Sequence, residues 1–180
     1  MQLELNGNFK GKCLVAMPNI QDDMFRDSVI YIAEHNTIAG AVGVMINKNL
    51  TDKQSDISIE IVNKEWQHLP LYLGGPVELS SGFILYSDDS DNLMLSGSRQ
   101  TLKKQAEITT LQPLMLTAGY CMWETLQLER EVKFNNWLVV DNIVAHLINK
   151  VAPAERYQEA LKIAGVNNLA NFDFSGGGNA

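Results

Sequence analysis

The sequence predicts an α+β fold, and three observations carry that reading. Short β-branched apolar runs crowd the first half of the chain. Helical patterns are few and irregularly placed. No strand-helix alternation recurs of the kind that builds a parallel doubly wound sheet.

Taken in order, the runs CLVAM (13–17), SVIYIA (28–33), AVGVMI (41–46), LPLYL (69–73), GFILY (82–86), LML (93–95), LMLTA (114–118) and WLVV (137–140) are read as strands, punctuated by glycine, proline and asparagine. The acidic SDDSDN at 87–92 reads as a solvated hairpin tip, and NKNLTDKQSD at 47–56 as a surface loop. Ser98 is a fair N-cap for a helix over 98–107. After Ser55 the pattern is two-sided: Ile57, Ile59 and Ile61 alternate like a strand, whereas Ser55 and Asp56 cap like a helix, the reading we favour. A short helix is expected over 142–148. The last helix starts at Pro153, which supplies a first-turn φ, and stops at Gly165; Tyr157, Ala160, Leu161 and Ala164 make its apolar face. The whole chain, 1–180, reads as one domain, with a glycine-rich tail at about 175–180 expected to be mobile.

Composition narrows the function classes. With 21 acidic and 14 basic residues the formal charge is −7, and the bases are dispersed in pairs. Phosphate-backbone binding needs a clustered basic footprint, so no direct nucleic-acid binding is expected. No apolar run approaches the roughly 20 residues of a membrane span, and MQLELNGNFKGK does not resemble a signal peptide. Two cysteines, Cys13 and Cys121, sit in apolar runs and form no disulfide framework, which fits a reducing cytoplasm. The three histidines show no HxH or HExxH spacing, and neither GxxxxGK[ST] nor GxGxxG occurs, so no metal and no cofactor is expected. Gly74-Gly75-Pro76-Val77 reads as a tight structural turn, because Pro76 removes an amide an anion would need.

Two segments carry possible chemistry. Glu34-His35-Asn36 closes a strand; a carboxylate beside an imidazole can tune a base, but adjacent strand residues point to opposite faces. The second is GYCMWETLQLERE at 119–131, read as a strand ending at Gly119 and a helix beginning near Cys121. There Tyr120 and Trp123 have polar tips that need partners when buried, and Gln127 or Glu129 would supply them in a packed network. Alternatively the aromatics wall a pocket whose amide or carboxylate orients a ligand. Cys121 as a nucleophile is the weaker reading, since buried free thiols are inert.

Together these segments resemble the AlgH/YqgE family of small bacterial proteins of unknown function. The likeness runs through FKGKCLVAMPNIQDDMFRDSVIYIAEHN, GAVGVMINK, LYLGGPVE, LSGSR, GYCMWETLQLERE with NNWL, and SGGGNA. It implies a bifurcated mixed β-sheet folded as a pseudo-barrel with helices packed around it, in a cytosolic bacterial protein; a regulatory label linked to alginate production attaches to some members. No reaction, cofactor or catalytic residue comes with it. The chain departs from the family pattern at Asp27, where Arg is common, and at Cys121, Met122, Glu124 and Leu126, where small residues are common. Bulk at 122 and 126 is expected to narrow a cleft.

The expected function is non-enzymatic regulation through a small ligand or a protein partner, with a candidate pocket drawn from Glu34, His35, Asn47, Tyr120, Trp123, Gln127 and Glu129. The alternatives are an enzyme using Glu34, His35, Gln127 and Glu129, and a DNA-binding regulator, which the charge pattern disfavours.

Overall fold

The computed structural model describes residues 7–50, 66 and 69–166. The ambiguous segment after Ser55 and the glycine-rich tail lie outside the described residues. The elements run β1 (Cys13–Ala16), β2 (Val29–Asn36), β3 (Gly40–Met45), β4 (Leu71–Leu73), β5 (Val77–Ser87), β6 (Leu93–Ser96), α1 (Arg99–Ala106), β7 (Gln112–Trp123), α2 (Gln127–Lys133), β8 (Trp137–Val140), α3 (Val144–Lys150) and, after a 3₁₀ turn at Pro153–Glu155, α4 (Arg156–Ile163).

The strands form one sheet in the order β6-β5-β7-β3-β2-β1-β8, with β4 added beside β7. The sheet is mixed, because β4 runs parallel to β7 while the other pairings are antiparallel. It bifurcates at β7. Leu116 pairs with Ile84 of β5 on one edge and with Leu71 of β4 on the other, and farther along Cys121 and Trp123 pair with Gly43 and Ala41 of β3. Among the described residues the end strands β6 and β8 do not pair with each other, so the sheet they form stays open. It nevertheless folds over on itself: Tyr31 Oη of β2 donates to the carbonyl of Leu93 in β6 at 3.1 Å. Burial pushes that phenol up to about 12, so the donor keeps its proton.

Cys13, Leu14, Val15 and Ala16 are all buried, which is why β1 reads as a continuous apolar run and not as an alternating one. One side of this layer is covered by α4, whose Tyr157 hydroxyl donates to Ala16 O at 2.8 Å. Beside it Arg156 is buried among carbonyls. Its Nε donates to Leu147 O (2.9 Å) and Val151 O (3.1 Å), Nη1 to Ile46 O, and Nη2 to Ile148 O at 3.3 Å. Its guanidinium carbon lies 5.3 Å from the ring centroid of Tyr72.

Several local expectations hold. Ser98 Oγ accepts from Thr101 N at 3.2 Å and caps α1. Gly165, at φ 79°, ends α4 with its amide bonded to Lys162 O. Asp88 accepts from Ser90, Asn92 and the Asn92 side chain at the β5–β6 tip, and these bonds hold its carboxyl below the usual range. Other expectations need correction. The strand read as ending at Gly119 continues to Trp123, with Gly119 at φ 68° as a bend inside it. The helix expected near Cys121 begins only at Gln127. The strand expected at 82–86 starts at Val77, its polar first half breaking register with β7 between Val77 and Gly82. Among the described residues no helix is long and apolar enough to cross a membrane.

The β2–β3 hairpin sets its tip against the end of β7. Asn36 Oδ1 accepts from Ile38 N (2.8 Å) and Ala39 N (3.2 Å), and Gly40 takes φ 91° to bring the chain back. A β-carbon at Gly40 would collide with the backbone carbonyl of Trp123. Gly40→Ala is therefore expected to cost about 3 kcal/mol, from left-handed strain plus a backbone clash. A urea titration checks this: the midpoint should fall while the slope stays constant.

Candidate functional site

Glu131 is the centre of the most organised polar cluster in the junction. Helix α2 is short and its leading residue, Leu126, sits in the left-handed region at φ 58° with no side-chain cap. Gln127 compensates: its Oε1 accepts from Glu124 N at 2.9 Å and its Nε2 donates to Glu131 Oε1 at 2.9 Å, one helical turn on. The other carboxylate oxygen, Oε2, accepts from both indoles, Trp123 Nε1 at 2.9 Å and Trp137 Nε1 at 2.7 Å. Three neutral donors thus hold one carboxylate. The partner expected for Trp123 was Gln127 or Glu129; it is Glu131.

The chain reaches this arrangement by a local device. Asn135, at φ 56°, closes α2, with Asn135 N bonded to Val132 O and Asn136 N to Glu131 O, so β8 starts at once with Trp137. Asn136 in turn fixes the β1–β2 connection: Met17 N donates to Asn136 O at 2.9 Å, and Asn19 Nδ2 to Asn136 Oδ1 at 2.8 Å. Asp22 Oδ1 accepts from Met24 N at 2.8 Å, which turns the connection and brings Phe25 edge-on to Trp137, centroids 6.0 Å apart at 90°. Trp123 meets Trp137 at 6.2 Å and 82°.

Between the β1–β2 connection, the end of β7 and α2 lies a cleft of about 490 Å³. The connection contributes Asn19, Ile20, Gln21, Asp22 and Phe25 to its wall, the end of β7 Cys121, Met122 and Trp123, α2 Gln127 and Glu131, and Pro76, Asn136 and Trp137 complete it. Met122, 55% exposed, is part of the wall, as expected of a residue that narrows the cleft, whereas Leu126, 49% exposed, is not among the lining residues. Cys121 is buried, its Sγ donates to Gly74 O at 3.3 Å, and burial pushes the thiol up, so it stays protonated at neutral pH.

The other residues picked from sequence go elsewhere. His35 and Glu129 form a second, separate cluster: Nε2 lies 3.0 Å from Glu129 Oε1, with side chains 2% and 3% exposed. Phe9 N donates to His35 Nδ1 at 3.2 Å, which makes Nδ1 the acceptor and Nε2–H the donor. His35 is thereby tied to Glu129 away from solvent. Its neighbour Glu34 points outward to Lys10 at 2.8 Å, an exposed pair of little energetic weight. Asn47 bridges backbone, accepting from Val29 N and donating to Asp27 O, both at 2.8 Å. Tyr120 packs edge-on to Phe83 and its hydroxyl lies 3.4 Å from Glu78 Oε1. Of the seven residues, the cleft gathers Trp123 and Gln127. Missed were Glu131 as shared acceptor, Trp137, Asn136 and the connection carrying Asp22 and Phe25. NNWL, which ends the α2 segment with a second tryptophan, was the available signal. Among the described residues no group of three or more histidine, cysteine, aspartate or glutamate side chains is placed to hold a metal ion.

Comparison with known proteins agrees with this architecture. An AlgH-like family model matches residues 13–169. A UPF0301 protein of Dechloromonas aromatica is 30% identical, with 95% of this chain and 98% of that protein covered. The UPF0301 protein YqgE of Escherichia coli is 34% identical, over 90% and 95%. The solution structure of the AlgH protein from Pseudomonas aeruginosa superposes with a TM-score of 0.63 at 28% identity, covering all of both chains. A crystal structure of a Corynebacterium diphtheriae protein has the same fold, with a TM-score of 0.61 at 20% identity over 88% of each chain. By family model, relatives and fold alike, the chain belongs to the AlgH-like family.

Proposed function

We propose that this protein is a non-enzymatic cytosolic regulator that acts by binding, and that the cleft beside Glu131 is where a small ligand is received. The observation that carries this reading is the division of labour between the two clusters. Groups with catalytic potential are tied up: the Cys121 thiol, in the cleft wall, is buried, protonated and bonded to Gly74 O, and His35, outside the cleft, is closed between Phe9 and Glu129. Groups suited to recognition, two indoles, four side-chain amides and a fixed carboxylate, line an open cleft of drug-ligand size.

A protein partner is the second reading. It draws on the exposed Ile38, Leu126 and Phe134, and Thr125, next to Leu126 in the chain, donates its Oγ1 to Ile38 O at 2.6 Å. A thermal-shift screen against a metabolite library separates the two. A ligand at a hundred times its Kd should add about 2.7 kcal/mol of apparent stability. The same ligand should move the indole N–H resonances of Trp123 and Trp137. If no metabolite raises the unfolding midpoint or moves those resonances, the small-ligand reading fails and the partner reading takes its place.

A further inference from the structure

Resting on that reading of the cleft, we propose that its ligand is a small organic cation, an alkylated or methylated ammonium group carried on a compact apolar body. The argument starts from charge. Asp22 and Glu131 both line the cleft, and among the described residues its wall includes no lysine, arginine or histidine. Glu131 is held by three donors, all neutral: two indole N–H groups and one amide. These bonds orient the carboxylate but leave its negative charge without a counterion among the described residues. Oε2 accepts twice, whereas Oε1 accepts once, from Gln127, and so retains acceptor capacity.

Shape adds a second argument. Phe25, Trp137 and Trp123 stand in sequence at near right angles, 90° and 82°, with centroids 6.0 and 6.2 Å apart, and all three contribute to the wall. Trp123 and Trp137 are themselves buried, so the half-buried Phe25 is the ring that offers surface to a cation. An aromatic ring beside a fixed carboxylate suits an alkylammonium group because the ring quadrupole attracts it. An anion would meet two carboxylates and no positive charge. A neutral ligand would leave the Glu131 charge uncompensated.

Choline, its neutral isostere 3,3-dimethylbutan-1-ol, and acetate make the test, with the intact protein followed by tryptophan fluorescence and by the indole N–H resonances. Choline should move both indole resonances along a saturable curve. The isostere should bind at least about tenfold more weakly, and acetate should leave the resonances unmoved. Glu131→Gln, which keeps an oxygen for the indoles, should reduce choline affinity by about tenfold or more. Asp22→Asn, at an exposed position that preserves the turn, should reduce it by a smaller factor; this variant keeps the test decisive if the Glu131 change disturbs folding. Equal binding of choline and the isostere, or unchanged affinity in both variants, would overturn the cation proposal while leaving ligand binding at the cleft intact. If no probe of either charge and no metabolite moves the indoles, the cation proposal and the reading it rests on fall together.

Discussion

Arg156→Met should lower the stability of this protein severely, by about 3–5 kcal/mol, because several buried carbonyls lose a charged donor at once. The methionine can replace the volume of the arginine stem but none of its donors. Ile46, Leu147, Ile148 and Val151 would each keep a carbonyl aimed at the vacated guanidinium, and an unsatisfied buried acceptor costs about 1–3 kcal/mol. The loss has a topological side as well. Arg156 ties the start of α4 and the end of α3 to the residue after β3. Arg156→Lys should recover little, because a single ammonium cannot reach four carbonyls in a planar fork. Thermal unfolding checks this. For a chain of this size the midpoint should drop on the order of 10 °C, with near-ultraviolet dichroism retained below it.

Glu131→Ala should cost about 2–4 kcal/mol and should act on both tryptophans at once. Two buried indole N–H groups would lose their acceptor, and Gln127 would lose the bond that steadies the start of α2. The readout specific to this mechanism is the pair of indole N–H resonances, which should move together, accompanied by a change in tryptophan emission. Glu131→Gln should cost about 1 kcal/mol, because its oxygen still serves the indoles while its amide faces that of Gln127. If the alanine variant unfolds at the same urea concentration as the parent, the carboxylate is an ornament of the junction and not its keystone.

How far the sequence anticipated this molecule depends on which physical signal each residue emits. Continuous apolar runs such as CLVA and SVIYIA announce buried strands, and Ser98, Pro153 and Gly165 announce helix ends, because those signals are local. Gly119 misled for the same reason. Glycine is a common stop signal, but here its positive φ bends a strand that continues through Tyr120, Cys121, Met122 and Trp123. What makes it a bend is the approach of the Gly75 and Val77 carbonyls, a contact across β5 that no window of sequence contains.

The site divides along similar lines. That Trp123 would need a polar partner was legible, since a buried indole rarely goes without one. Which carboxylate would serve was not, because Glu129 and Glu131 differ by two residues and so face different sides of a helix. One goes to His35 from the β2 strand, and the other to Trp137 from β8. Arg156 did leave a trace. It stands four residues before Ala160 on the apolar face of α4, a charged residue where the pattern calls for an apolar one.

The place of β1 in the sheet bears on how the protein is made. Its two neighbours are β2, close by in sequence, and β8, whose Trp137 pairs with Ala16 roughly 120 residues upstream, a separation that makes pairing slow. On the ribosome the N-terminal hairpins emerge early, yet one edge of β1 stays bare until most of the chain has been translated. An apolar strand with an open edge is what promotes association between nascent chains. The interval between synthesis of β1 and arrival of β8 is thus the point in this protein's life at which a chaperone has most to protect.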